Sequence, residues 1–429
     1  MKHFMKHFRF VAAALLCFCG SNLIAVNSLR AADHSSVPES VSDWMALTAT
    51  HRVDLFHRTL ETSRTDAMVA LAMFEAANAI ERNYVSQLGI DPIDGTMEPD
   101  AAVAVASAAV HTLLDLYPAG AQAFRDAYQR SIAERRTGPG FKIAEQLGVD
   151  AAKAALARGR AMNDSRVAPY RATTPPGEYI PEGTPSLITD FDLALLPWAL
   201  ESSDAARPVA PPELNTRRYA SNLLEVQRLG AKLNHTRTSD QTESARFWFL
   251  IDMNPVLRRI AERPGRTLSQ NARLYAMFYM ASDDAWIAAS DAKSHYQFWR
   301  PVTAIRSADR DGNESTVRDA YWEPLMPTPP HPEYPCAHCL QAAAQATVLD
   351  AELGDAELLL TFMSSTLPNA EPRSVTTAQY VAQTSMSRIY AGAHYRFSNE
   401  AGEASGRVVG RAVLRCFRPN ARIPAVATR

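Results

Sequence analysis

Residues 268–299 carry apolar side chains at three- and four-residue spacing for longer than any other stretch, and Arg300-Pro301 closes the run. A pattern of that period and length commits the region to a helix with a buried face. The same spacing recurs over 64–84, where Met68, Leu71, Ala72, Phe74, Ala77 and Ile80 form one stripe. Alanine-rich segments at 100–117, 121–135 and 143–162 repeat the type, punctuated by Pro118, Gly120, Gly138, Pro139 and Gly140. In the second half, helices are expected at 213–233, 238–252, 337–353, 376–390 and 399–417, and no run of strict alternation argues for a strand. The fold class is therefore all-α, built of helical bundles.

Four regions follow from this pattern. Lys2, Lys6 and Arg9 lead into an apolar stretch from Phe10 to about Val26, with small residues at Ala31 and Ala32. That is the form of a secretory signal peptide, 1–31, so the mature chain is expected to be exported, periplasmic or extracellular. An N-terminal helical bundle spans 32–162. A proline-rich connection, 163–212, holds Tyr170, Tyr179, Phe191 and Trp198, aromatics expected to order it against the bundles. A C-terminal bundle, 213–429, completes the chain. With 47% hydrophobic and 21% charged residues and a net charge of -2, nothing suggests a nucleic-acid partner. No segment of the mature chain is apolar enough for membrane insertion, and a homo-oligomer is compatible with the composition.

The chemistry concentrates in the last region, in three pieces: Lys293-Ser-His-Tyr-Gln-Phe-Trp-Arg300-Pro301, Pro335-Cys-Ala-His338, and Ser387-Arg388-Ile-Tyr-Ala-Gly392-Ala-His394. Seven residues are nearly two helical turns, so Lys293 and Arg300 are expected on one face of the helix that Pro301 ends. Cys336, Ala337 and His338 fall where a proline-rich loop enters a helix, whose first amides favour an anion. Arg388 adds a planar fork of donors, and Gly392 lets the chain turn toward His394. Three fixed cations and two histidines make the inventory of a tetrahedral-oxyanion site, with His338 suited to acid–base work. Cys336 and Cys339 leave two states open, a Cys-x-x-Cys disulfide or two free thiols, and Cys416 is the remaining mature cysteine. A zinc site from Cys336, His338, Cys339 and His331 is disfavoured by the neighbouring cations.

These three pieces resemble the vanadium-dependent haloperoxidases, which share a helical-bundle fold and anion pocket with acid phosphatases of the phosphatidic-acid phosphatase type 2 superfamily. The family pattern is Lys, six residues, Arg-Pro; Pro-Ser-Gly-His; and Ser-Arg, five residues, His, three residues, Asp. The words Phe298-Trp-Arg-Pro-Val-Thr-Ala-Ile-Arg306 and Pro327-Thr-Pro-Pro-His-Pro-Glu-Tyr-Pro335 resemble secreted bacterial members. The resemblance implies a vanadate cofactor bound by Lys293, Arg300, Arg388, Cys336 and the Ala337 amide. It implies His394 as the vanadium ligand and His338 and Lys293 as catalytic groups. Hydrogen peroxide and a halide are then the partners, with hypohalous acid the product. His331 matches a position that is also histidine in bromoperoxidases, a hint of bromide. The alternative is a phosphatase acting on a small phosphate ester, with His394 attacking phosphorus, or an oxyanion-binding homologue without turnover.

Three positions depart from the pattern: Cys336 replaces Ser, Ala337 replaces Gly, and Ser398 replaces the acid four residues after His394. Ser398 supplies less orientation and charge stabilisation to the imidazole than a carboxylate does. The phosphatase alternative is weakened accordingly.

Overall fold

Helix α10 (Leu268–Tyr296) starts at a capping box, in which Thr267 Oγ1 accepts from the Gln270 amide while the Gln270 side chain accepts from the Thr267 amide. Along most of its length α10 is buried on more than one side, which a helix tolerates only at the centre of a bundle. The computed structural model describes residues 39–51, 59–93, 98–138, 140–162, 175–181, 188, 190–233, 235–354 and 357–420. The expected signal peptide, 1–31, lies outside them, as does much of the first part of the proline-rich connection.

In the first half, α1 (Val41–Thr50), α2 (Thr59–Glu81), α3 (Ala101–Leu116), α4 (Ala121–Ser131) and α5 (Phe141–Gly159) follow the expected order. Helix α2 packs against α3 and α5 on one side and α10 on the other. One apolar core thereby runs from Phe74 and Val103 through Phe278 to Leu340 and Val413. After the short α6 (Asp190–Ala194) come α7 (Arg217–Leu229), α8 (Ser239–Phe247), α9 (Asn254–Ala261), α10, α11 (Pro301–Arg306), α12 (Ala337–Leu353), α13 (Thr377–Tyr390) and α14 (Arg396–Cys416). Among the described residues no helix is long and apolar enough to cross a membrane.

Three differences from the expected elements have local causes. The helix expected over 238–252 stops at Phe247, and Ile251–Asp252 becomes β1 of a small antiparallel sheet with β2 (Leu360–Ser364) and β3 (Arg373–Val375). Strands β1 and β3 are too short to show alternation, and β2 alternates in burial but carries the apolar Met363 on its exposed face, which hides the pattern in the sequence. Helix α9 was not expected; Pro255 in its first turn fits a helix start better than the interruption it suggests. The third difference is at the end of α10. Gln297 takes a left-handed conformation (φ 48°), and its amide donates to the Lys293 carbonyl, so the helix ends at Tyr296 rather than at Arg300. Lys293 and Arg300 thus do not share a helix face. Arg300 sits on extended backbone, and Pro301 opens α11.

The described part of the proline-rich connection is tied to α10. Trp198 Nε1 donates to Asp283 Oδ2 (2.7 Å), which also accepts from Arg64 Nη1 (2.7 Å), and Asp284 accepts from the Trp198 and Ala199 amides. Further upstream, the Tyr179 amide donates to the Gln297 carbonyl and the Trp299 amide to the Gly177 carbonyl, bracing the link that carries Arg300.

Helices α12 and α14 approach closely because Gly402, Gly406 and Gly410 line the contact. A Cβ at Gly402 would lie 2.5 Å from the Cys336 carbonyl oxygen, and one at Gly406 would run into that of Leu340. We expect Gly406→Ala to destabilise the protein by about 1–3 kcal/mol through overpacking. A fall in the urea midpoint with an unchanged slope would report it, and an unaltered midpoint would show that the helices separate at no cost.

Candidate active site

The proline-dense loop between α11 and α12 lies across the end of α10, and its backbone carbonyls collect the cations. Lys293, in the last turn of α10, donates from Nζ to the carbonyls of Pro332 (2.9 Å) and Glu333 (2.6 Å). Arg300 donates from Nε to the His331 carbonyl (2.9 Å), from Nη1 to the Ala393 carbonyl (2.9 Å) and from Nη2 to His331 Nδ1 (3.0 Å). Although they are not on one helix face, Lys293 and Arg300 still converge. Arg388, near the end of α13, donates to Ser387 Oγ and the Ala245 carbonyl, with its guanidinium 5.4 Å from the Phe249 ring centroid. All three side chains are at most 2% exposed. Burial lowers each pKa, Arg300 to about 10 and Arg388 to about 9, and Lys293 is lowered further by Arg300.

Against these cations stands one buried carboxylate that the sequence reading missed. Glu333 Oε1 lies 2.6 Å from His394 Nδ1 and accepts the Tyr395 amide at 3.2 Å. Desolvation raises its pKa to about 7, opposed first by Lys293 and Arg300. Ser398 faces the same carboxylate and favours its ionised form, although Glu333 Oε2 and Ser398 Oγ stop short of hydrogen-bonding geometry. The carboxylate absent from position 398 is therefore supplied from the loop, and the expectation of a poorly oriented His394 is corrected. The signal was in Pro327–Pro335, but only the folded path of that loop brings Glu333 to the imidazole.

His394 follows a turn at Gly392, whose φ of 77° is the left-handed conformation glycine accepts most easily. An ionised Glu333 accepts a hydrogen bond from the Nδ1–H, leaving the Nε2 lone pair directed toward Arg300 Nη1, 3.3 Å away. Burial, followed by Arg300 and Lys293, holds the ring neutral, with a pKa well below 6.5. His338 donates from Nε2 to the Phe249 carbonyl (3.1 Å), so its Nδ1 is the basic atom. Its pKa is depressed to about 3 by burial and then by Arg388, and the ring lies against Phe249 and Trp286.

Cys336 caps α12, and the amides of Ala337 and His338 in its first turn donate to no acceptor among the described residues. Cys336 and Cys339 are joined as a disulfide, which decides between the two states left open, and Cys416 is free. Cys336 consequently brings no S–H donor to the site. A cavity of about 580 Å³, walled by Tyr179, Leu325, Met326 and Pro330 among others, reaches Arg300 from the surface.

Residues 273–420 match the family model described as the VCPO second helical-bundle domain. The structure is similar to that of a bacterial vanadium-dependent iodoperoxidase, with 22% identity and a TM-score of 0.69 over 88% of this chain and 95% of that one. It is also similar to a bacterial vanadium-dependent chloroperoxidase. The holo form gives 16% identity and a TM-score of 0.67 over 85% and 94% of the two chains, and the apo form 16% and 0.64 over 89% and 96%. No curated protein matches the chain in sequence.

His331, His338 and His394 all titrate well below 6.5, so the unfolded chain binds their protons first and their contribution to stability is lost as pH falls below 6.5. Glu333 acts oppositely, since its raised pKa gives stability that is present below 4.5 and lost as pH rises toward 7. Three histidines against one glutamate leave a net two protons. We expect the anion-free protein to lose about 2.7 kcal/mol per pH unit from these groups as pH falls below 6.5 toward 4.5. Glu333→Gln removes the opposing group and should steepen that slope about 1.5-fold in urea titrations. An unchanged or shallower slope would contradict the assignment.

Proposed function

Because the chain has the vanadium-dependent haloperoxidase fold and residues 273–420 belong to the VCPO second helical-bundle family, we propose an exported peroxidase of haloperoxidase type that oxidises halide with hydrogen peroxide. The observation that carries this reading is charge. Three buried cations surround one buried carboxylate, and that carboxylate is already committed to His394. A site left net positive in low dielectric calls for an anion.

The donor set fits vanadate. Lys293 has one ammonium proton left after its two carbonyl bonds, Arg388 and the Ala337 and His338 amides have unused N–H groups, and His394 offers Nε2. Lys293, Arg300, Arg388 and the two amides would hold its oxygens, and His394 the metal. Bound there, vanadate supplies the electrophilic activation of peroxide oxygen toward halide. The protein's own work is orientation and proton handling. Glu333 fixes the tautomer of His394, Lys293 polarises the peroxide, and His338 Nδ1 takes a proton from it. The cavity beside Arg300 supplies a route for the small reactants, and His331, held by Arg300, stands where bromide selection is proposed. The disulfide supports an oxidising, exported location.

A phosphatase reading gains from Glu333, since a nucleophilic histidine needs such a carboxylate. Orthovanadate reconstitution followed by bromination with peroxide separates the two. We expect vanadate-dependent bromination that disappears in His394→Ala and falls about 10–100-fold in Glu333→Gln. Phosphate release from an aryl phosphate without vanadate, lost in His394→Ala, would establish the phosphatase instead. Silence in both assays would leave an oxyanion-binding homologue.

A further inference from the structure

The Cys336–Cys339 bridge sits at the mouth of α12, one residue from the free Ala337 amide and three residues after Glu333. A purely structural staple would require nothing of its surroundings beyond space. Here each sulfur faces a group suited to a different protonation state of a reduced pair. The Cys339 amide donates to Cys336 Sγ at 3.1 Å, a contact that supports negative charge on that sulfur. Asn399 Oδ1 lies 3.3 Å from Cys339 Sγ and makes no other hydrogen bond among the described residues.

The Asn399 amide is not free to turn away. Its Nδ2 donates to the Ser385 carbonyl at 2.6 Å, which fixes Oδ1 as the atom facing sulfur, and the side chain is 3% exposed. In the disulfide Cys339 has no proton, so a buried carbonyl oxygen is aimed at an atom with nothing to donate. A buried acceptor without a donor costs free energy. Reduction supplies the missing S–H. The surroundings of the bridge are thus matched to the dithiol as well as to the disulfide.

We propose that Cys336 and Cys339 are a working dithiol–disulfide couple whose oxidant is hydrogen peroxide entering the oxyanion pocket. Cys336, supported by the amide, is the attacking sulfur. Its thiolate displaces hydroxide from one peroxide oxygen: the O–O bond breaks, an S–O bond forms, and Cys336 becomes a sulfenic acid. Cys339, held as a thiol by Asn399, then loses its proton and attacks the Cys336 sulfur. The S–S bond forms, the S–O bond breaks and water leaves. Overall two thiols and one peroxide give one disulfide and two waters, with the sulfurs losing two electrons and the peroxide gaining them. A small dithiol returns the pair to the reduced state by exchange. The peroxide source rests on the reading proposed above, but the sulfur chemistry needs no vanadate.

The test uses the mature protein, lacking residues 1–31 and without vanadate, so a failed bromination assay and a failed couple remain distinguishable. The protein is reduced with dithiothreitol, desalted anaerobically, mixed with one equivalent of hydrogen peroxide and quenched with iodoacetamide. Peptide mass spectrometry follows alkylation at Cys336, Cys339 and Cys416. Cys416 is a built-in comparison, because it is half-buried and burial raises its pKa. We expect the pair to close at least about tenfold faster than Cys416 oxidises. Cys339→Ser should instead accumulate a sulfenic acid at Cys336 that dimedone traps, and Cys336→Ser should show no fast phase. A native bridge that dithiothreitol does not open, or closure no faster than Cys416 oxidation, would make it a static staple and overturn the proposal. The wild-type measurement stands even if a variant fails to fold.

Discussion

The structure depends on keeping Lys293, Arg300 and Arg388 charged in a place nearly without water. Removing a cation from water costs several kcal/mol after relaxation, and the cost must be met by hydrogen bonds or opposite charge. Backbone carbonyls meet part of it, from Pro332 and Glu333 for Lys293, from His331 and Ala393 for Arg300 and from Ala245 for Arg388. Among the described residues, Glu333 alone meets it with a carboxylate, and does so for Lys293 and Arg300. Its carboxylate is the hub, stabilised by two cations while it steadies the imidazole that faces Arg300.

Such a hub needs a rigid mount, and the packing of α10, α12 and α14 provides one. The glycines of α14 allow α12 to lie against it, which fixes the start of α12 and the loop that precedes it. The Cys336 amide donates to the Ser398 carbonyl, so the same contact ties the α12 N-terminus to the residue beside Glu333. Tyr395 and Phe397 stack (4.9 Å between centroids) and pack on Phe298, while the Tyr334 hydroxyl donates to the Val209 carbonyl. Apolar burial and a few long-range hydrogen bonds thereby set the position of charges that repel one another.

How much of this could be read from residue order varied with the range of the forces involved. Long helices such as α2, α10 and α12 show their buried stripes in local spacing, so their existence was legible. The five motif residues Lys293, Arg300, His338, Arg388 and His394 were legible as a charge inventory, and the structure brings them into one cluster, with His338 half-buried and the other four buried. The end of α10 was not, because a left-handed Gln297 is decided by packing rather than by intrinsic preference. Nor was Glu333, which sits among prolines where no periodicity indicates a direction. Ser398 invited the inference that a carboxylate was missing, when the fold had placed one 61 residues before His394 in the chain.

The protonation of His338 bears on which chemistry the pocket favours. A phosphatase needs a general acid to protonate the departing oxygen, and a group that is neutral with its N–H tied to the Phe249 carbonyl is poorly prepared for that task. The same neutral ring keeps an Nδ1 lone pair that can take a proton, as deprotonation of an incoming hydrogen peroxide requires, once the cations that depress it are offset. Arg388 beside it opposes protonation, and an arriving anion would favour it. Glu333 serves either reaction equally well, since ligation and nucleophilic attack both need the Nε2 lone pair of His394. The asymmetry between the two histidines, one oriented by a carboxylate and one held neutral beside a cation, therefore suits a pocket in which His394 ligates or attacks and His338 receives a proton.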